Sequence, residues 1–198
     1  MVTIVQKEAP VLREKASVVS LKDVGTPAFK KILADMKTAL DREEDGVAIA
    51  APQIGVPLRI FLVSHRAFSY LENPEEHEDP NIIKTEISGQ YPEHKDLVFI
   101  NPEIIKLSRK KVWLHEGCLS VRWLYGEVSR ADKATVRAYD ENGKQFIRGG
   151  SGLLAQIFQH ETDHLNGILF IDTARNIETI TREEQEQQRR EHEAKNNE

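Results

Sequence analysis

Phe29, Ile32, Leu33, Met36 and Leu40 recur at i, i+3, i+4, i+7 and i+11, the period of one helix face. Thr26-Pro27 just before them supplies a cap residue and a proline at the first helical position, where its missing N–H is harmless. An amphipathic helix laid on a core is expected there. The period then changes. Gly46 to Gly55, GVAIAAPQIG, is small, apolar and punctuated by Gly and Pro, which suits a backbone that another group approaches closely. Strands are expected at Leu58 to Val63, Leu97 to Ile100, Val112 to His115 and Ala134 to Tyr139. The last of these turns through Asp140-Glu141-Asn142-Gly143 into Gln145 to Ile147. Ser151 can cap a second helix whose apolar face is Leu153, Leu154, Ile157 and Phe158, and Gly167 is placed to end it. Strands with two separated helices indicate an α+β fold.

Two stretches lack any apolar period. Arg66 to Asp96 holds three prolines, eight acidic and three basic residues, and reads as a long surface excursion, solvated throughout. After Ile180 no large aliphatic or aromatic residue remains. Thr181 and Glu184 have capping-box spacing, but without an apolar stripe the tail is expected to be a solvated helix or a disordered end. The 198 residues thus divide into one domain over 1–175 and a polar extension over 176–198.

Composition narrows the partners. The net charge of -5 argues against a broad electrostatic footprint for nucleic acid, and no direct nucleic-acid specificity is expected. No apolar run approaches the roughly 20 residues of a membrane helix. The start MVTIVQKEAP has no signal-peptide apolar core, so a chain working in the cytoplasm or an organelle, away from membranes, is expected. A lone cysteine, Cys118, cannot form an internal disulfide and must be core filler, nucleophile or metal ligand.

His160-Glu161-Thr162-Asp163-His164 is an H-E-x-x-H on the second helix. Four residues advance a helix by just over one turn, so both imidazoles can share a metal, with Glu161 beside it as a candidate general base. The bland alternative is a pair of core histidines on the stripe of Leu153 and Ile157. A catalytic tetrahedral site needs a third protein ligand. Phe170 stands where a metzincin would have its last histidine, which excludes that solution. A downstream glutamate such as Glu178 or Glu183 falls in a segment with too little apolar surface to dock. Cys118, in Glu116-Gly117-Cys118-Leu119-Ser120 after an expected strand, is the remaining candidate; a small buried hydrophobe is its alternative reading.

GVAIAAPQIG, EGCLS and HETDH, in that order, are similar to the three motifs of the peptide deformylases, and the likeness extends over roughly residues 4 to 173. The resemblance implies an α+β fold with mixed or antiparallel sheets around a central helix that carries H-E-x-x-H. It implies removal of the N-formyl group from the methionine of formyl-methionyl nascent polypeptides, releasing formate. Cys118, His160 and His164 would hold one divalent metal per chain, ferrous iron foremost, with zinc, nickel or cobalt as other occupants. Glu161 would carry the proton, and the Gln53 amide and Leu119 N–H would receive the developing oxyanion. Gly46, Ala48 and Gly117 would line the cleft for substrate backbone, and Ile49, Leu119, Leu153 and Ile157 would form the methionine pocket; core packing is the alternative for each of these. Ala48, Arg122 and Tyr125 depart from the common pattern, where glycine, proline and a basic residue are frequent. The rival readings are an H-E-x-x-H zinc endopeptidase and a non-catalytic relative that binds peptide ends. Docking of the tail on the ribosome is disfavoured, because Ile177 to Glu198 carries four basic and seven acidic residues, a net of -3.

Overall fold

The computed structural model describes residues 2–67, 95–181 and 184. Most of the expected excursion, 68–94, and most of the tail lie outside the described residues. Thr26 opens the first helix as the sequence predicts: its hydroxyl accepts from the Phe29 N–H at 3.3 Å, and α1 spans Pro27–Asp41. There follow β1 (Ala48–Ala50), a 3-10 turn (Ala51–Ile54), β2 (Ile60–Val63), β3 (Leu97–Leu107), β4 (Lys111–Gly117), β5 (Leu124–Ala131), β6 (Lys133–Tyr139) and β7 (Gln145–Ser151). Helix α2 (Gly152–His164) and β8 (Arg175–Thr179) complete the order.

Five strands form one sheet in the order β1-β2-β3-β6-β7 and three form a second in the order β4-β5-β8; every pairing between these strands is antiparallel. The α+β expectation holds. Alternation along β1 and β2 divides the core. Ala48, Ala50, Phe61 and Val63 face α2, where Phe61, Phe99 and Phe158 stack with Leu154 and Val136. Ile49, Ile60 and Leu62 face the other way, onto Phe29, Met36 and Leu40 of α1. Helix, sheet and helix therefore pack as three layers, with α2 also reaching across to the small sheet.

Three strands depart from expectation for physical reasons. The third runs on past Ile100, because Asn101-Pro102 is absorbed as an irregularity: Asn101 adopts φ 50 and the register shifts between Ile100 and Glu103. The stretch around Tyr125, where the sequence shows no strand pattern, is β5. Its inward positions include Gly126 and Arg130, which hide the alternation. Strand β8 is exposed along its whole length and docks through backbone pairing to β5, with the Arg175 guanidinium 3.6 Å from the centre of the Trp113 ring. The segment containing Glu178 thus packs on the fold without an apolar stripe.

The ends of the excursion are not solvated. Arg66 donates to the carbonyls of Leu40 and Glu43 at 2.9 Å each, closing the C-terminal end of α1, and Ala67 is fully buried. Asp96 receives the His65 N–H and Lys37. Helix α2 ends as predicted at Gly167, which takes φ 75 while the Ile168 N–H returns to the Asp163 carbonyl and its own N–H to His164. Ser151 occupies the N-cap position without a side-chain capping bond. Thr181 and Glu184 exchange both bonds of a capping box.

Candidate metal centre and cleft

Strand β4 ends at Gly117 and delivers Cys118 to the turn that leads into β5, directly opposite α2. One helical turn separates His160 and His164, whose rings lie edge to face with centroids 5.0 Å apart. The Cys118 Sγ is 3.2 Å from His164 Nε2, and one donor atom from each of Cys118, His160 and His164 falls within 4.8 Å of the others. A thiolate and two imidazoles converging at this spacing from sheet and helix fit a divalent transition metal.

The surroundings fix these groups. The Nδ1 of His160 is 2.9 Å from Glu116 Oε2, which turns the other ring nitrogen toward the centre. Glu116 is itself clamped by Arg130, which donates Nε to Oε1 at 2.8 Å and Nη2 to Oε2 at 2.9 Å. Burial would raise this carboxyl, but Arg130 and His160 outweigh it and hold the group down at about 2. Arg130 also bonds Asp163 of α2, so one guanidinium ties the small sheet to the metal helix. Burial, aided by His160, pushes His164 well below its ordinary value, leaving the neutral ring that ligates metals. Glu161 is 4% exposed, its Oε2 has no hydrogen-bond partner, and burial pushes its carboxyl up to about 7.

Above this centre opens a cleft of about 320 Å³. Of the residues singled out from the sequence, Gly46, Ala48, Gln53, Gly117, Cys118, Leu119, Leu153, Ile157, His160 and Glu161 line it. Ile49 does not. The alternation of β1 turns its side chain away into the α1 core, where it is fully buried, so it is no part of a methionine pocket. His164 lies beneath the cleft as a 1% exposed ligand candidate. Gln53 is oriented by the Ala50 N–H, which donates to its Oε1 at 2.7 Å, and its Nε2 approaches Cys118 Sγ at 3.6 Å.

Glu116 had no separate role in the sequence reading, although its place in EGCLS was the available signal. Arg122 and Tyr125, noted as departures, also line the cleft. Arg122 reaches Asp45 at 2.6 and 3.0 Å and pairs with Glu43 as well, bridging the mouth between the β4–β5 turn and the α1–β1 loop. The Tyr125 ring covers Gly117, where a Cβ would stand 2.6 Å from it.

Comparison with known proteins bears on this geometry. The family model described as polypeptide deformylase matches residues 1–179. The chain belongs to the polypeptide deformylase family. Peptide deformylase of Desulforudis audaxviator is 38% identical over 174 residues, covering 88% of this chain and 94% of that one. Peptide deformylase 1A, chloroplastic/mitochondrial, of Arabidopsis thaliana is 41% identical over 170 residues; the match covers 85% of this chain and 60% of the plant protein's length. Among solved structures, the actinonin-bound class I type b peptide deformylase from Acinetobacter baumannii superposes with a TM-score of 0.70 at 28% identity, covering 88% of this chain and 99% of that one. Deformylases are metal-dependent hydrolases that remove the N-formyl group from the N-terminus of new polypeptides, and this chain carries the Cys, His and His of such a site together.

Proposed function

We propose that this deformylase acts on formyl-methionyl peptide ends through a division of labour among the residues of the cleft. Cys118, His160 and His164 hold one divalent metal, ferrous iron foremost and zinc, nickel or cobalt as alternatives, since two imidazoles and a thiolate suit all four. The bound metal supplies the Lewis acidity that makes a water nucleophilic near neutrality. Glu161 takes the proton of that water and passes it to the leaving amine. The Gln53 amide, pinned by Ala50, and the Leu119 N–H face the formyl oxygen as it gains charge.

Strand β1 is an edge of the five-stranded sheet, and Gly46 and Ala48 border the cleft there. A peptide backbone can therefore add along β1 as a further strand, passing Gly117 on the opposite wall. Leu153 and Ile157 of α2, with Leu119, offer the apolar floor for the methionine side chain. A solved Acinetobacter baumannii deformylase, 28% identical with a TM-score of 0.68, carries the tripeptide Met-Ala-Ser, which supports a peptide in this cleft. The catalytic domain, expected over 1–175, extends through β8, because Leu124 and Tyr125 of β5 pair with Thr179 and Glu178, and the remainder is a polar extension. The negative charge of that extension disfavours a ribosomal dock, and the site of action is the cytoplasm or an organelle.

The observation that carries the reading is the meeting of Cys118, His160, His164 and Glu161 beneath a cleft walled by Gln53 and Leu119. Protein purified without oxygen, assayed for metal and for formate release from a formyl-Met peptide, is expected to hold one metal per chain and to release formate stoichiometrically. Metal-loaded protein that releases none would overturn it.

A further inference from the structure

The N-terminal arm touches the elements that carry both oxyanion donors. The Val5 N–H donates to the Gln53 carbonyl at 2.9 Å. The next residue, Gln6, donates its side-chain Nε2 to the Leu119 carbonyl at 3.1 Å, and its Oε1 accepts from the Arg122 N–H at 3.4 Å. One dipeptide thus bonds the 3-10 turn bearing Gln53 and, 113 positions away in sequence, the turn bearing Leu119. The arm is itself anchored: Arg42 donates to the Val2 carbonyl at 3.1 Å. Ile4 packs with the cluster that includes Leu119, while Val5 packs with the one that includes Cys118 and Val121.

We propose that Gln6 is a positioning residue for deformylation, setting the attitude of the Leu119 peptide relative to Gln53. The inference rests on the reading of Leu119 and Gln53 as oxyanion donors. A primary amide suits the task, because it donates to one backbone carbonyl and accepts from a second backbone N–H of the same turn. Among its described backbone bonds, the turn between β4 and β5 is otherwise held by two local ones, from the Val121 N–H to the Cys118 carbonyl and from the Leu124 N–H to the Val121 carbonyl, and by the Ile180 N–H on the Trp123 carbonyl, none of which touches Leu119. Without the Gln6 bridge, Leu119 is free to shift as a whole within the turn, and its N–H, which lies one peptide unit before the anchored carbonyl, loses aim where charge develops. Preorganised donors act on the transition state more than on the bound substrate.

The test uses Gln6→Leu, which keeps bulk without hydrogen bonds, and Gln6→Glu, which keeps the acceptor for Arg122 but loses the donor to Leu119. Removing an oxyanion donor outright costs about 10²–10³ in kcat, so misaligning one of a pair is expected to lower kcat roughly tenfold in both variants. KM for a formyl-Met peptide is expected to stay within about twofold, with metal content and melting temperature as in the wild type. Wild-type kcat in both variants would overturn the proposal, as would a loss of rate that tracks loss of metal or melting temperature. Formate release by the wild-type protein in the same assay separates these outcomes from failure of the deformylase reading itself.

Discussion

Glu161 is next to one ligand candidate in sequence, yet its own carboxyl oxygen Oε2 has no partner and lies in a buried position. A proton carrier in this position has nothing structural to do, so Glu161→Gln is expected to keep metal content and fold while lowering kcat by about 10²–10⁴; a rate near that of the wild type would refute the role. Cys118→Ala tests the ligand set from the other side. It removes the proposed ligand carried by the turn after β4, and metal retention after dialysis is expected to fall at least about tenfold, with formate release lost in parallel. Full occupancy and activity in that variant would favour a different third ligand and hence the endopeptidase reading. At this scale the sequence was most informative where chemistry demands particular residue types. Cys118, His160, Glu161 and His164 announced themselves by spacing and uniqueness. Glu116 and Arg130 did not, since a buried ion pair contributed by two adjacent strands has no local pattern: its members are 14 positions apart and each looks like a surface charge.

Among the elements, α1 was legible to its cap because Thr26, Pro27 and the apolar stripe agree with one another. Strand β5 was concealed by Arg130, whose charge occupies an inward position that only the partners Glu116 and Asp163 make tolerable. The C-terminal stop of α2 gives a sharp prediction. Gly167 holds φ 75, and a Cβ there would stand 2.7 Å from the Arg13 carbonyl oxygen. Gly167→Ala is therefore expected to destabilise the fold by about 1–3 kcal/mol, read as a drop of several degrees in melting temperature; an unchanged Tm would contradict it. The junction preceding β3 gives a pH signature. Burial would raise the Asp96 carboxyl, but the His65 backbone and ring and the Lys37 ammonium outweigh burial and hold it below its ordinary 3.8. Its stabilising contribution is present above that value and fades as pH falls through the lower folded one. Asp96→Asn should accordingly be less stable than wild type near pH 6, with a gap that narrows below about pH 4. A gap that persists undiminished at pH 2.5 would show that the bonds do not depend on the charge.

For the whole molecule, the sequence conveyed the class of fold and the order of motifs, because helix stripes, turn residues and ligand spacing are local properties. The division into two sheets was illegible, since it depends on which strands pair across long separations, as β3 does with β6 and β5 with β8. The division of the chain itself is open to test. A chain ending after Thr181 retains every described strand and is expected to match the full-length protein in formate release and to melt within about two degrees of it. Loss of half the rate would assign the polar extension a part in catalysis.

The bonds of the N-terminal segment also impose an order of assembly. Val5 and Gln6 meet Gln53 and Leu119, Ala16 donates to the Leu165 carbonyl, and Arg13 pairs with Asp172. On a chain emerging from its N-terminus, the first residues made must wait for some of the last before these partners exist. Closure over such separations is slow relative to helix or hairpin formation. A growing copy of this deformylase therefore gains the geometry for its reaction only once its own synthesis has passed residue 172 and reached the end of the main fold.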